Sequence, residues 1–265
     1  MSKKVAIVTG GTSGIGRATA LALQERGYTV YELSRRAEGM PDIRHIVADI
    51  TKEETLQAAV EQVLAVEGRL DLVVNNAGFG ISGAIEFTDT QEAQRLFDTL
   101  FFGMVRMNRC VIPLMRQQGR GRIVNISSVA APVPIPFQAY YSAGKAAINA
   151  YTMALANELR PFGVTVCAVM PGDIKTGFTA ARHKIIDGDD IYQGRIGRSV
   201  QRMEHDEQTG MDPAKVGRYI AAVASREGSH HPLYATRIDY KFFVFLTKVL
   251  PARFLNWLIY QLYGK

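Results

Sequence analysis

Cysteine is almost missing from this chain, with only Cys110 and Cys167 among 265 residues. Neither stands in a C-x-x-C pair or beside a histidine at ligand spacing, which excludes a disulfide framework and a thiolate zinc site. The five histidines, His230-His231 among them, lack ligand spacing too, so no metal is expected. No apolar run is long enough to act as a signal-peptide core at the start, where Val5 to Val8 is only strand-length; a cytoplasmic protein is expected. Charge of one sign is never concentrated. The 31 lysines and arginines outnumber the 25 acids by six, yet no basic tract exceeds Arg35-Arg36, which argues against nucleic acid as a partner. Repeats, low-complexity tracts and Pro/Gly/Ser linkers are also missing, so residues 1–265 read as one domain.

What is present is an ordinary globular composition, 47% hydrophobic and 21% charged. A chain of this length buries roughly 70 to 75% of its unfolded surface and needs no covalent or metal staple. Short β-branched runs at Val5 to Val8, Thr29 to Leu33, Arg44 to Val47, Leu70 to Val74, Arg122 to Ile126 and Val164 to Val169 alternate with helical patterns. Those patterns cover Ile15 to Arg26, Lys52 to Glu67, Gln91 to Gln117, Tyr141 to Leu159 and Pro213 to Ala224. Near-continuous apolar strands alternating with helices predict an α/β fold with a parallel sheet covered on both faces. Residues 177–210 are polar and irregular, and read as an insertion.

After the first strand comes Thr9-Gly10-Gly11-Thr12-Ser13-Gly14-Ile15-Gly16, followed by a helix. Glycines at 10, 14 and 16 allow a sharp turn and bring bare backbone, with the helix N-terminus, against a diphosphate; Gly10, Thr12, Ser13, Gly14, Ile15 and Gly16 are the candidate contacts. No Gly-Lys-Ser/Thr follows, so this is no P-loop. At the end of the second strand, where an acidic side chain would hold a ribose 2′-hydroxyl, Ser34-Arg35-Arg36 stands instead. A guanidinium clasps a 2′-phosphate, which favours NADP(H). Asp49 with Ile50, and Asn76-Ala77-Gly78 after Asn75, fall at the carboxyl edge of the sheet, where adenine and ribose would lie.

Ser128 follows the strand ending at Ile126, and Tyr141 and Lys145 lie four residues apart, one turn from each other on the same helical face. A lone Y-x-x-x-K says little; here it shares the chain with the glycine loop. Together these motifs resemble the short-chain dehydrogenase/reductase family over about Lys4 to Thr176, and most closely its NADP-dependent hydroxysteroid- and retinol-type members. The matching residues run in order, from Thr9 to Gly16 through Asp49, Asn75 to Gly78, Ser128 and Tyr141 with Lys145 to Pro171-Gly172-Asp173-Ile174-Lys175-Thr176.

The resemblance implies a single doubly wound (Rossmann) sheet of about seven strands, an NADP(H) cofactor and a homodimer or homotetramer. It implies that Ser128, Tyr141 and Lys145 are catalytic, with Ser128 and Tyr141 touching the substrate carbonyl. Tyr141 and Lys145 also contact cofactor, Pro171, Gly172, Ile174 and Thr176 flank the nicotinamide, and residues 177–210 form a lid. For a phenol of pKa near 10 to act as a base at neutral pH, the site is expected to lower it by about 3 units, with Lys145 and the oxidised nicotinamide as the cations. One position departs from the pattern. Leu100 stands where the family's helix carries an Asn that relays protons through water to the lysine.

The loop Ala130 to Phe137, with Pro132, Pro134 and Pro136, and Phe79 and Phe178 offer stiff apolar walls suited to a lipophilic alcohol or ketone, steroid-like or retinoid-like. The apolar extension 238–265 is interrupted by Lys248, Pro251 and Arg253, so it is not a transmembrane span. Packing over the pocket, subunit contact and peripheral seating on a membrane remain three open roles for it. The expectation is an NADP-dependent oxidoreductase interconverting a secondary alcohol and a ketone. A 3-ketoacyl-type reductase of the same family, or a catalytically weak NADP-sensing binding protein, are the alternatives.

Overall fold

A computed structural model describes residues 3–226, 228 and 230–265. The first half runs β1 (Val5–Thr9), α1 (Gly14–Glu25), β2 (Thr29–Ser34), β3 (Arg44–Val47), α2 (Glu53–Glu67), β4 (Leu72–Asn75), a short β5 (Ile81–Ser82), α3 (Thr90–Phe97) and α4 (Gly103–Gln118). The second half runs β6 (Gly121–Ile126), α5 (Ala139–Leu159), β7 (Val164–Met170), α6 (Phe178–Ala181), a short β8 (His183–Lys184), α7 (Arg195–Gln208), α8 (Pro213–Ala224), β9 (Leu233–Ala235), α9 (Ile238–Val249) and α10 (Ala252–Ile259). Seven strands form one parallel sheet in the order β3-β2-β1-β4-β6-β7-β9. The chain winds outward from β1 in one direction, then crosses to β4 and winds the other way, which opens a crevice at the carboxyl ends of β1 and β4.

Strand residues alternate between two cores. Ala6, Val8, Val74 and Val169 face α1 and α8, through Leu23, Val216 and Ile220. Val5, Ile7, Val73 and Val166 face the other layer, through Val60 of α2, Met107 and Val111 of α4, and Leu155 of α5. Burial on both faces explains why these strands are apolar without alternation. The contact of α1 with α8 depends on Gly217, because a Cβ there would lie 2.4 Å from the carbonyl carbon of Ala18.

Several boundaries differ from the sequence reading. The fourth strand begins at Leu72 rather than Leu70 because the Gln118 side chain bonds both Leu70 backbone groups, at 3.2 and 2.9 Å. The helix expected over 91–117 is interrupted by a π-helical turn, Asp98–Phe102. Residues 177–210 are not irregular throughout, since they hold α6, β8 and α7. In α7, Ile196, Val200 and Met203 recur at helical spacing and pack on Ala84 and Phe137, a stripe hidden in the sequence by the charges between them. β9, three residues long, has no periodicity to read and is placed by pairing with Ala168 to Met170. No described helix is long and apolar enough to cross a membrane.

Gly217→Val is expected to destabilise the fold by about 2 kcal/mol or more, since backbone rather than a flexible side chain occupies the space. A thermal melt unchanged from wild type would show that the two helices do not approach this closely.

Candidate active site

The crevice is built on the turn after β1. Gly10 and Gly14 have φ of 65° and 53°, backbone that favours glycine. Gly16 lies beneath them, where a Cβ would fall 2.3 Å from the Gly10 carbonyl oxygen and 2.4 Å from Asn76 Nδ2. The end of β4 is laced to this turn. Asn76 Nδ2 donates to Thr9 O at 3.0 Å and Gly10 O at 3.3 Å, while Thr9 Oγ1 accepts from the N–H groups of Asn76 and Ala77 at 3.0 and 3.1 Å. These bonds aim the free N–H groups of the first turn of α1 into the crevice.

A continuous cavity of about 1340 Å³ extends from Arg35 and Arg36 past this turn to Ser128, Tyr141 and the C-terminal helices. That exceeds the roughly 300 to 1,000 Å³ typical of a single small-molecule site, and leaves room for a dinucleotide and a second molecule. The glycine turn that a Cβ would fill and this volume together fit a nicotinamide dinucleotide. Twenty of the expected site residues, from Gly10 to Thr176 and including Ser34, Asp49, Ile50, Asn76, Ala77, Gly78, Pro171, Gly172 and Ile174, line the cavity. Gly16 does not, and acts as packing behind the loop. The Asn76 side chain is taken up in bracing the turn.

At the ribose end, Arg35 and Arg36 are exposed and neither forms an ion pair among the described residues. Sequence reasoning missed a buried carboxylate close to them on β2. Glu32 lies buried under Gly11, and its Oε1 pairs with His45 Nδ1, whose Nε2 meets Arg36 O at 3.0 Å. Burial raises the Glu32 carboxyl, with His45 opposing the rise.

At the other end, Ser127 is turned inward, donating to Lys145 O at 3.1 Å, so Ser128 is the hydroxyl left to the cavity. Ser128 Oγ is fixed by the Ala130 N–H at 3.1 Å. Tyr141 has a face open to the cavity, but desolvation of its hydroxyl pushes the phenol up to about 12, opposed by the hydrogen bond from Ser128. Lys145 is buried, and desolvation brings its ammonium down to about 7. Its Nζ donates to Ile126 O at 2.7 Å and lies 5.6 Å from the centre of the Tyr141 ring. The expected acidification of Tyr141 is therefore not supplied by the protein's own groups, in which burial outweighs charge.

Leu100, at the π-helical turn, is wedged between two glycines; its methyls lie 2.4 Å and 3.6 Å from where Cβ atoms of Gly78 and Gly144 would be. The neighbouring Thr99 hydroxyl is engaged with Arg95 O at 3.1 Å.

The apolar wall differs in detail from expectation. Ala130, Val133, Ile135, Phe79 and Phe178 line the cavity, with the Phe178 ring 5.8 Å from that of Tyr141. Phe137 and the three prolines do not; Phe137 packs instead on Tyr192 and the α7 stripe. Besides Asp98, paired with Arg106, the cavity holds two carboxylates that the sequence reading did not single out. Glu207 is held by the buried guanidinium of Arg182 and by Thr179 Oγ1 at 2.5 Å. Asp173 Oδ2 accepts from the Tyr240 hydroxyl at 3.1 Å, and Asp173 forms no ion pair among the described residues; burial raises its carboxyl. The C-terminal helices close this end through Tyr240, Phe243, Leu255, Leu258 and Ile259.

The model of the short chain dehydrogenase family matches residues 4–185. A 3-ketodihydrosphingosine reductase from Bacteroides thetaiotaomicron is 38% identical over 261 residues, covering 97% of this chain and 94% of that protein. Among solved structures, a short-chain dehydrogenase from Streptomyces avermitilis is similar with a TM-score of 0.84 at 33% identity, over 98% of this chain and 97% of the other. A 3-ketoacyl-(acyl-carrier-protein) reductase from Brucella melitensis, complexed with NADH, is similar with a TM-score of 0.74 at 27% identity, over 88% and 96%.

Lys145 yields a pH prediction. Its folded value of about 7 lies below the 10.5 of the unfolded chain, so between these limits the unfolded state binds the extra proton and stability rises with pH. That gain is lost as pH falls from 10.5 towards 7 and is absent below it. In denaturant titrations without dinucleotide, the stability of wild type relative to Lys145→Met should climb from pH 7 to about 10; a pH-independent difference would contradict it.

Proposed function

The chain belongs to the short-chain dehydrogenase family, and from that premise we propose that it is an NADPH-dependent reductase of a ketone carried on a long apolar substrate, with Tyr141 as proton donor. The observation that carries this reading is a phenol held protonated at the junction between a dinucleotide-sized crevice and an apolar chamber. When bound, the reduced nicotinamide supplies the hydride. Ser128 donates a hydrogen bond to the carbonyl oxygen and stabilises the negative charge that develops there. Tyr141, with its phenol near 12, keeps its proton at neutral pH and gives it to an alkoxide, which is the stronger base. Lys145, one turn along α5, holds the ribose hydroxyls, and Ile174 backbone with Thr176 orients the carboxamide. With Leu100 filling the space between Gly78 and Gly144, Tyr141 regains its proton by a route other than an Asn-bound water.

The preference for NADPH rests on Arg35 and Arg36, free of ion pairs at the crevice mouth, and on the engagement of Glu32 with His45. As for substrate, the relative named 3-ketodihydrosphingosine reductase favours a 3-keto compound, closer to the 3-ketoacyl alternative than to a steroid or retinoid. The chamber agrees with an amphiphile. Its apolar wall of Phe243, Leu255 and Leu258 accommodates the chain, and the Asp173 carboxylate, lacking a cation of its own, suits a hydroxyl or ammonium beside the ketone.

Oxidation of NADPH with long-chain 3-ketones tests the reading; tight cofactor binding without turnover of any ketone would favour the sensor alternative. Tyr141→Phe should lower kcat by about 10³-fold, whereas Leu100→Asn should preserve or raise it. Full activity in the tyrosine variant would defeat the assignment. Replacing Arg35 and Arg36 by Ala should raise KM for NADPH by roughly 10- to 100-fold and leave that for NADH nearly unchanged, the loss expected for charge-assisted hydrogen bonds. Equal losses with both cofactors would exclude the 2′-phosphate as their ligand.

A further inference from the structure

The C-terminal helices are built from residues that ordinarily fill cores, yet they fill none. α9 carries Phe242, Phe243, Val244, Phe245 and Leu246 and has no buried residue; α10 buries only Ile259. The inner side of this pair walls the cavity, so part of its apolar surface is explained. The outer side is not. Phe242, Phe245 and Val249 of α9 and Phe254 and Trp257 of α10 are all about half exposed, and the last two stack with ring centres 5.8 Å apart. Exposed large apolar side chains concentrated on two consecutive helices in this way mark a binding surface.

Charge decides what binds. From Arg237 to Lys265 there are five basic residues and one acid, Asp239, and that acid is paired with Arg237. Lys241, Lys248 and Arg253, interleaved with the exposed aromatics, form no ion pair among the described residues. A second copy of this chain laid on the patch would bring these cations against their own counterparts. An anionic lipid surface neutralises them while its acyl region receives the aromatics, and Trp and Tyr suit the boundary between the two. At 12 residues α9 is about 18 Å long, too short to cross a bilayer and long enough to lie on one.

We propose that α9 and α10 form an interfacial docking element that seats the C-terminal end of the cavity on an anionic lipid leaflet, so that a membrane-dissolved ketone enters between them without crossing water. The route into the chamber rests on the reading of the substrate as lipophilic; the docking itself is read independently of turnover.

Trp257 is the only tryptophan in the chain and reports on its own surroundings. The full-length protein, free of substrate, is mixed with vesicles of phosphatidylcholine alone or with 30% phosphatidylglycerol, and Trp257 emission and co-flotation are followed. Docking predicts a blue shift and at least tenfold tighter binding to the anionic vesicles, weakened by added salt. Phe242→Ser with Phe254→Ser should reduce binding tenfold or more while the thermal midpoint stays within a few degrees of wild type. Should that variant fail to fold, Lys248→Glu with Arg253→Glu, which leaves the apolar surface intact, should abolish the preference for anionic lipid. No flotation, equal binding by wild type and charge-reversed protein, or a self-association that the serine variant abolishes without any vesicle binding would each overturn the proposal. Failure of ketone turnover with vesicle binding retained would overturn the substrate reading alone.

Discussion

The fold turns on one close approach, that of Gly16 beneath the carbonyl of Gly10. With the Cα of residue 16 bare, α1 can start directly under the end of β1, and the Asn76 side chain can reach both Thr9 O and Gly10 O from the end of β4. Everything at the carboxyl edge is then fixed in sequence. The first turn of α1 points its free N–H groups into the gap where the winding direction reverses, which is why the cavity starts there. Any side chain at residue 16 would push the helix off the strand and move that anion site away from the residues at the other end of the crevice.

At that other end, burial rather than charge sets the chemistry. Tyr141 and Lys145 sit on one face of α5, and desolvation acts on them in opposite senses, favouring the neutral form of each. A neutral phenol is a proton donor, which is the state the proposed reduction requires. Oxidation would need the phenolate, and the cation to stabilise it would have to come largely from the cofactor. On the proposed reading one arrangement would serve both directions, with the charge state of a bound nicotinamide setting which state of Tyr141 is favoured.

The placement of the glycine turn, Ser128, Tyr141 and Lys145 along one cavity is readable because each depends on neighbours a few residues away: a turn, a strand end, one helical turn. The two-sided core was readable for the same reason, in unbroken runs such as Val5 to Val8. What escaped were pairings between distant parts of the chain. Glu32 and His45 meet across adjacent strands, Arg182 and Glu207 within residues 177–210, and Asp173 and Tyr240 across 67 residues. No periodicity encodes such pairs, and a charged residue destined for a buried partner reads like one destined for solvent. The short β9 failed similarly, since its position is supplied by β7 rather than by its own three residues.

The pairing of Asp173 with Tyr240 joins the two ends of the functional argument. Tyr240 donates to Asp173 Oδ2 and accepts from the Asp173 N–H at 3.0 Å, and its ring lies 2.0 Å from where a Cβ on Gly172 would be. The base of α9 is therefore packed on the Pro171 to Thr176 segment, with glycine at 172 as the condition for that contact. Because this segment also lines the cavity that holds Ser128 and Tyr141, the exposed apolar helices are joined directly to the wall of that cavity. Tyr240 thus links α9 to the backbone of Asp173, in the wall that also carries Ile174 and Thr176. The extension is thus built into the site, and its sequence is constrained from inside by Tyr240 as firmly as its outer face is left free.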